Sequence, residues 1–295
     1  MTISIIGLGL IGGFLARGLR AHVFSTALIG VVRPPGYGEV CLEKGLVNEV
    51  ASLADACSRA DVVVLAVPVN AILQLIPEVL AHVRPSATVI DMGSTKGQIA
   101  RRIASLPRRE QVVIAHPMAG TEFSGPRAAI SNLFHGKAAI ICNREESRPE
   151  AVAVTQRLFK SLFMRIVYMQ ADEHDVHAAY VSHISHISSF VLALTVLEKE
   201  KSEANIFNLA SGGFASTVRL AKSSPRMWAD VVEQNTANLL DVLDSYIEKI
   251  GAFRELIARG EYDETYRLMA EANDIGRILN AKNPENNPSL NKLLQ

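Results

Sequence analysis

The chain has 295 residues, 48% of them hydrophobic, which is enough to bury a large core in two domains. Its 30 Lys and Arg residues balance 30 Asp and Glu residues, which excludes a strong positive field for nucleic acid or anionic lipid. Three cysteines without CxxC spacing favour the reducing cytoplasm, and the longest apolar runs, such as residues 62–69, are too short to span a bilayer.

The first predicted element is a strand that breaks into closely spaced glycines and continues as a helix. Such glycines allow a tight turn, let the backbone approach a pyrophosphate, and let the helix pack on the strand, so that its first amides face an anion. A buried strand with a flexible turn is the alternative, but the apolar run 27–32 follows at the distance that a βαβ unit requires. The pattern therefore predicts a dinucleotide site at Gly7, Gly9, Leu10, Ile11 and Gly12.

The end of the second predicted strand should meet the adenosine ribose. An acidic residue there would bind the 2′-hydroxyl, but Val32 ends the strand and the cation Arg33 follows. We therefore predict NADP or NAD as cofactor, with NADP slightly favoured. A surface arginine in a proline-bounded turn is the alternative interpretation of Arg33.

Three further strands are predicted at residues 61–68, 87–91 and 111–115, with a helix at about 70–82 between the first two. Ligands bind beyond the carboxyl ends of parallel strands, so the residues there are candidates by position. Val67 and Pro68 should lie beside the cofactor. Ser94 is either a substrate contact or a helix N-cap. His116 suits proton transfer near neutral pH, with a solvated or capping histidine as the alternative.

The second half changes from strands to helices. Strands at 138–142 and 165–168 flanking a helix at 149–163 complete the first domain, and helical periodicity follows. We expect an α/β chain: a Rossmann-type doubly wound sheet in residues 1–170, an all-α dimerisation domain in 171–282, and a flexible tail in 283–295. The first of the later helices is predicted to begin at Asp172 or His174. Four more are predicted after it, at 203–221, 225–250, 252–259 and 261–279.

Four histidines, His174, His177, His183 and His186, are spaced so that some share a helix face. A metal site would need carboxylates or cysteines to converge with them, and the sequence shows no such cluster. We therefore predict no metal.

Taken together, these motifs resemble the prephenate and arogenate dehydrogenases of tyrosine biosynthesis. The resemblance runs from about residue 2 to residue 275. Its motifs are the glycine triad, Asp91-Met92-Gly93-Ser94-Thr95-Lys96, His116-Pro117-Met118-Ala119-Gly120-Thr121-Glu122, His174-Asp175, Ser182-His183-Ile184-Ser185-His186, Gly212-Gly213-Phe214 with Arg219, and Pro225-Arg226-Met227-Trp228.

The resemblance implies oxidative decarboxylation of prephenate to 4-hydroxyphenylpyruvate by a homodimer joined through its helical domain. It implies that His116 accepts the hydroxyl proton while Ser94, also near the cofactor, holds that hydroxyl in line. Arg219 would bind the ring carboxylate, with a solvated helix arginine as the alternative. The remaining substrate contacts would be Thr121, Glu122, His183 and His186.

Three alternative functions stand beside prephenate oxidation. Arogenate is the alternative substrate, although His186 favours prephenate. A β-hydroxyacid or 6-phosphogluconate-type dehydrogenase would place a catalytic lysine on the first long interdomain helix, but Lys199 and Lys201 lie only at its far end. A nicotinamide-sensing regulator would need a partner-binding module, and the sequence shows neither a basic patch nor an extra domain.

Overall fold

The computed structural model describes residues 1–21, 24, 27–33, 37–120, 133–203 and 205–282. The chain divides into two compact units, Met1–Leu239 and Leu240–Gln295. The first unit contains the sheet and every described residue of the candidate site.

One eight-stranded sheet organises the first unit. Its strands are β1 Thr2–Ile6, β2 Ala27–Val31, β3 Glu49–Val50, β4 Val62–Leu65, β5 Thr88–Asp91, β6 Val112–Pro117, β7 Ala138–Cys142 and β8 Arg165–Met169. The strand order is β3-β2-β1-β4-β5-β6-β7-β8, and only the β6–β7 pair is antiparallel. The order reverses direction between β1 and β4, which is the switch point where such sheets bind ligands. The predicted Rossmann-type sheet is confirmed.

Helices cover both faces of this sheet. They are α1 Leu10–Ala21, α2 Tyr37–Glu43, α3 Leu53–Arg59, α4 Val69–His82, α5 Gly97–Ile103 and α6 Pro149–Ser161. The central strand β4 is buried along its whole length, as its continuous run of β-branched residues predicts. Two apolar clusters result, one on each side of the sheet, so the strand ends are held rigidly.

The helices after residue 170 are α7 Ala171–Ala178, α8 Ile184–Glu200, α9 Gly212–Thr217, α10 Pro225–Gln234, α11 Thr236–Arg259, α12 Tyr262–Ala272 and α13 Asp274–Lys282. A capping box between Gln170 and Glu173 begins α7, and one π-helical turn, Ala179–His183, joins α7 to α8. Single π-helical turns of this kind are frequent at functional sites.

Four of the predicted helices differ from the structure. The helix predicted at 203–221 is replaced by α9 and two 3-10 turns, because Asn205 adopts a left-handed φ of 85° and Ala210 is extended. The helix predicted at 225–250 ends at Gln234, since Asn235 leaves the helical conformation, and α11 then runs on through the predicted 252–259 segment. The helix predicted at 261–279 is divided at Asn273.

The helix Ala171–Glu200 carries an exposed apolar face. Val191, Leu194 and Leu197 are each at least half exposed. By length and composition this helix could cross a membrane, and 11% of its apolar 18-residue stretch is buried inside the protein. Serines and histidines separate the apolar residues of this helix, so its sequence does not form one long uninterrupted apolar run. Length and composition do not distinguish a membrane span from a helix whose apolar face meets another chain.

Candidate active site

The glycine turn between β1 and α1 leaves open space at the start of the helix. Gly7 has a φ of 91°, which favours glycine, and a Cβ on Gly12 would lie 1.9 Å from the Gly7 carbonyl oxygen. Apart from the adjoining residues, no heavy atom of the described residues lies within 4 Å of the position that a Cβ on Gly9 would take. The helix α1 begins at Leu10 and Ile11, directly after this open position, and the first amides of a helix favour an anion.

The other predicted cofactor contacts lie at neighbouring strand ends. Val67 follows β4, and its Cγ1 is 2.5 Å from the ideal Cβ position on Gly7, so it packs against the glycine turn. Pro68 is exposed and precedes α4. Arg33 is exposed and lies two residues beyond β2. These positions follow the carboxyl ends of β2 and β4, next to the switch point of the sheet.

A buried ion pair lies at the carboxyl end of β5. The Lys96 ammonium pairs with Asp91, and both side chains are fully buried. Lys96 Nζ also donates to the Ala115 carbonyl oxygen at 2.8 Å, and the Gly93 amide donates to Asp91 Oδ1 at 2.8 Å. Burial raises the pKa of Asp91, while Lys96 opposes that rise. The pair thus connects the end of β5 to the residue before His116.

Ser94 lies in the same segment and is half-buried. The alternative prediction that it caps the next helix is wrong, because α5 begins at Gly97 with Lys96 at its N-cap position. The Gly93 amide donates to the Asp91 carboxylate and so forms a tight turn directly after β5. Ser94 follows this turn and lies beyond the end of the strand, which is where a substrate contact is expected.

His116 begins a chain of three side chains. The strand β6 extends further than predicted, through Pro117, because His116 pairs with Ile140 of the antiparallel β7. His116 Nδ1 lies 2.8 Å from His174 Nε2, and His174 Nδ1 lies 2.8 Å from Asp175 Oδ1. Burial, and after it electrostatic interaction with His174, Lys96 and His183, lowers the pKa of His116 well below its usual range. The ring is therefore neutral at pH 7 and able to accept a proton.

The other predicted histidines lie near the end of α7 and on α8. Asn235 Nδ2 is 3.1 Å from His183 Nδ1 and donates to the Asp175 carbonyl oxygen at 2.8 Å. Burial lowers the pKa of His183 to about 4. The His186 ring stacks on Trp228 with a centroid distance of 3.7 Å, and its Nδ1 lies 3.0 Å from the Ser182 carbonyl oxygen.

Arg219 begins the 3-10 turn after α9 and is exposed. Burial lowers the pKa of His186, and the positive charge of Arg219 lowers it further. Arg219 therefore lies within electrostatic range of His186. Thr121 and Glu122, the other predicted substrate contacts, lie outside the described residues.

Several residues of this arrangement had no role in the sequence predictions. Four of them stand inside motifs on which the family resemblance rests: Lys96, His174, Asp175 and Trp228. Their place in those motifs is the sequence signal that could have identified them as functional residues. Asn235 stands outside those motifs, and its contacts depend on residues more than fifty positions away. No group of three or more described His, Cys, Asp or Glu side chains converges to hold a metal ion.

Two family models match most of the chain. The model for the prephenate dehydrogenase nucleotide-binding domain matches residues 15–168, and the model for the prephenate dehydrogenase dimerization domain matches residues 170–271. The glycine turn lies before residue 15, so the first match does not include it. The interpretation of this turn as a dinucleotide site therefore rests on the conformation of Gly7 and the close contact at Gly12.

Individual relatives agree with these models. The chain is 31% identical to prephenate dehydrogenase of Bacillus subtilis, over 92% of this chain and 74% of the relative. It is 30% identical to cyclohexadienyl dehydrogenase of Zymomonas mobilis, over 88% and 90% of the two chains. Among solved structures, prephenate dehydrogenase of Aquifex aeolicus with hydroxyphenyl propionate and NAD+ has a TM-score of 0.85 at 28% identity, covering 94% of this chain and 97% of the other.

These matches cover both halves of the chain and agree with the eight-stranded sheet followed by helices. The chain belongs to the prephenate dehydrogenase family.

Proposed function

We propose that this protein oxidises and decarboxylates prephenate to 4-hydroxyphenylpyruvate, as part of tyrosine biosynthesis. The observation that carries this proposal is the place of His116 at the carboxyl end of β6, against His174 and at the same edge of the sheet as the glycine turn. A base at this place can take a proton from a substrate lying against a bound nicotinamide. The relatives named prephenate dehydrogenase support the substrate assignment.

The cofactor is a nicotinamide dinucleotide, held at its pyrophosphate by the turn from Gly7 to Gly12. It supplies the acceptor for the hydride that leaves the carbinol carbon. NADP is accepted and slightly favoured over NAD, because Val32 places no carboxylate beside the ribose and Arg33 offers a cation to a 2′-phosphate. The exposure of Arg33 leaves its guanidinium able to reach that phosphate.

His116 accepts the proton of the ring hydroxyl through Nε2, since Nδ1 is already directed at His174. Ser94 hydrogen-bonds the same hydroxyl and keeps it in line. Once the hydride has left, the hydroxyl oxygen is a carbonyl oxygen. The bond to the ring carboxylate then breaks, carbon dioxide leaves, and the electron pair of that bond makes the ring aromatic and turns the oxygen into a phenolate, which takes back one proton. The protein therefore has to orient the substrate and move one proton.

The two substrate carboxylates need cations or donors. Arg219 binds the ring carboxylate with its planar guanidinium, and His186 contacts the pyruvyl end from its position on Trp228. His183, held through Nδ1 by Asn235, presents Nε2–H as a further donor. Thr121 and Glu122 complete the substrate pocket in this proposal.

The working protein is a cytoplasmic homodimer formed through its helical domain. The exposed stripe Val191, Leu194 and Leu197 lies inside the segment that the dimerization-domain model matches. We assign residues 1–170 to dinucleotide binding, 171–282 to substrate binding and dimerisation, and 283–295 to a tail. The family models, which meet between residues 168 and 170, support the first boundary.

The test is turnover of prephenate, arogenate and 6-phosphogluconate in parallel, each with NAD and with NADP, followed by nicotinamide absorbance. We expect prephenate to be oxidised with release of carbon dioxide and 4-hydroxyphenylpyruvate, arogenate to react more slowly, and 6-phosphogluconate to be inert. Faster oxidation of arogenate would change the substrate assignment, and oxidation of 6-phosphogluconate would contradict the reaction class.

A further inference from the structure

The carboxylate of Asp175 is held by the start of helix α5. Its Oδ1 accepts a hydrogen bond from the Lys96 amide at 2.8 Å, and its Oδ2 accepts one from the Gly97 amide at 2.8 Å. Burial raises the pKa of Asp175, but hydrogen bonds from His174, Gly97 and Lys96 outweigh burial and hold that pKa below its ordinary value. The carboxylate is therefore ionised at neutral pH and can only accept hydrogen bonds.

This carboxylate determines which nitrogen of His174 carries the proton. His174 is 1% exposed, and its Nδ1 faces Asp175 Oδ1 at 2.8 Å. Since the carboxylate only accepts, Nδ1 must donate. Burial lowers the pKa of His174, so the ring is neutral and has a single N–H. Its Nε2 is consequently an acceptor.

The same reasoning extends one ring further, to His116. His174 Nε2 accepts, so His116 Nδ1, at 2.8 Å from it, must donate. The neutral His116 ring then carries its lone pair on Nε2. In the other tautomer two lone pairs would face each other across 2.8 Å in a buried place, which is unfavourable.

We propose that His174 and Asp175 are positioning residues, which fix His116 in the tautomer whose Nε2 can accept the substrate proton. This inference rests on the proposed function. In the step itself the substrate O–H bond breaks, its electron pair forms the carbonyl bond, the carbon-bound hydrogen leaves as hydride to the nicotinamide, and the proton goes to Nε2. The charge of Asp175 then offsets the charge of Lys96, which opposes a positive charge on His116.

The test is Asp175→Asn, because an amide can present its NH2 group to His174 Nδ1 and reverse both tautomers. By analogy with the buried aspartate of serine proteases, we expect kcat to fall about 10²–10⁴-fold. The prephenate KM and the cofactor Kd should stay within about threefold of wild type, since neither ligand contacts Asp175. Asp172→Asn is the matched control: Asp172 lies on the same helix, has an 82% exposed side chain, and should leave kcat unchanged.

Two further measurements keep the inference testable. His174→Phe leaves the Asp175 bonds to α5 intact, removes the relay, and should lower kcat at least about tenfold without raising KM. Nitrogen NMR of labelled histidine in the free enzyme should show His116 protonated on Nδ1 in wild type and on Nε2 in Asp175→Asn. A folded Asp175→Asn or His174→Phe with wild-type kcat, or a wild-type His116 protonated on Nε2, would overturn the inference. The NMR result does not depend on turnover, so failure of the proposed function is seen separately.

Discussion

Replacing Lys96 should expose how strongly the buried ion pair supports the site. Lys96 and Asp91 are both fully buried, and Lys96 also donates to the carbonyl oxygen of Ala115, the residue before His116. Lys96→Met keeps the volume but leaves the Asp91 carboxylate without its cation. Breaking a buried pair in this way typically costs about 3–5 kcal/mol, against a total stability of about 5–15 kcal/mol for a folded protein.

The loss should also depend on pH. Burial raises the pKa of Asp91, and Lys96 is the main group opposing that rise. Without Lys96 the folded chain holds the Asp91 proton more tightly than the unfolded chain does. The cost of Lys96→Met therefore grows as pH rises and shrinks as pH falls toward about 4, the ordinary value for an unfolded aspartate.

The assay is urea unfolding at fixed protein concentration, followed by fluorescence of Trp228, the single tryptophan of the chain. The double variant Asp91→Asn with Lys96→Met carries no unpaired charge and should be more stable than Lys96→Met alone. Arg59→Met is the control, because Arg59 forms its ion pairs at the surface. If Lys96→Met unfolds like Arg59→Met, or if the double variant is the less stable of the two, the reasoning is refuted.

Other substitutions test the ligand contacts. Arg219→Ala should raise the prephenate KM about tenfold to a hundredfold and spare the dinucleotide Kd, and an unchanged KM would make Arg219 a solvated arginine. Arg33→Ala should lower kcat/KM with NADP, but not with NAD, by the equivalent of about 1–3 kcal/mol, and Val32→Asp should shift the preference to NAD. A wild-type enzyme that strongly prefers NAD, with a preference that Arg33→Ala does not change, would show that other residues determine cofactor specificity. Gly9→Ala should leave stability unchanged and weaken dinucleotide binding, whereas Gly12→Ala should destabilise the fold, since its Cβ would overlap the Gly7 carbonyl oxygen. Equal unfolding midpoints for the two alanine variants would contradict that assignment.

The sheet was predictable because its signals are local. A continuous β-branched run such as Val62–Leu65 favours a central parallel strand, and the close spacing of Gly7, Gly9 and Gly12 favours the turn between β1 and α1. His116 was predictable for the same reason, since any residue at the carboxyl end of a parallel strand lies near the ligand crevice. The extra strand length at His116 depended on pairing with β7, which periodicity does not reveal.

The helical half was less predictable because tertiary contacts interrupt its periodicity. Asn235 leaves the helix between α10 and α11, and its side chain bonds the Asp175 carbonyl oxygen and His183. No pattern around residue 235 indicates those partners. His174 likewise faces His116 from 58 positions away, so the relay exists only once α7 packs against the sheet. Ser94 was a plausible N-cap by residue type, but the following helix begins three residues later.

The central claim is that His116 is the proton acceptor for prephenate oxidation. His116→Asn keeps a polar side chain of smaller size and removes the base. We predict that kcat falls about 10²–10⁴-fold, while the dinucleotide Kd measured by titration stays within about threefold of wild type. A folded His116→Asn protein that oxidises prephenate within a few-fold of the wild-type rate would contradict the account.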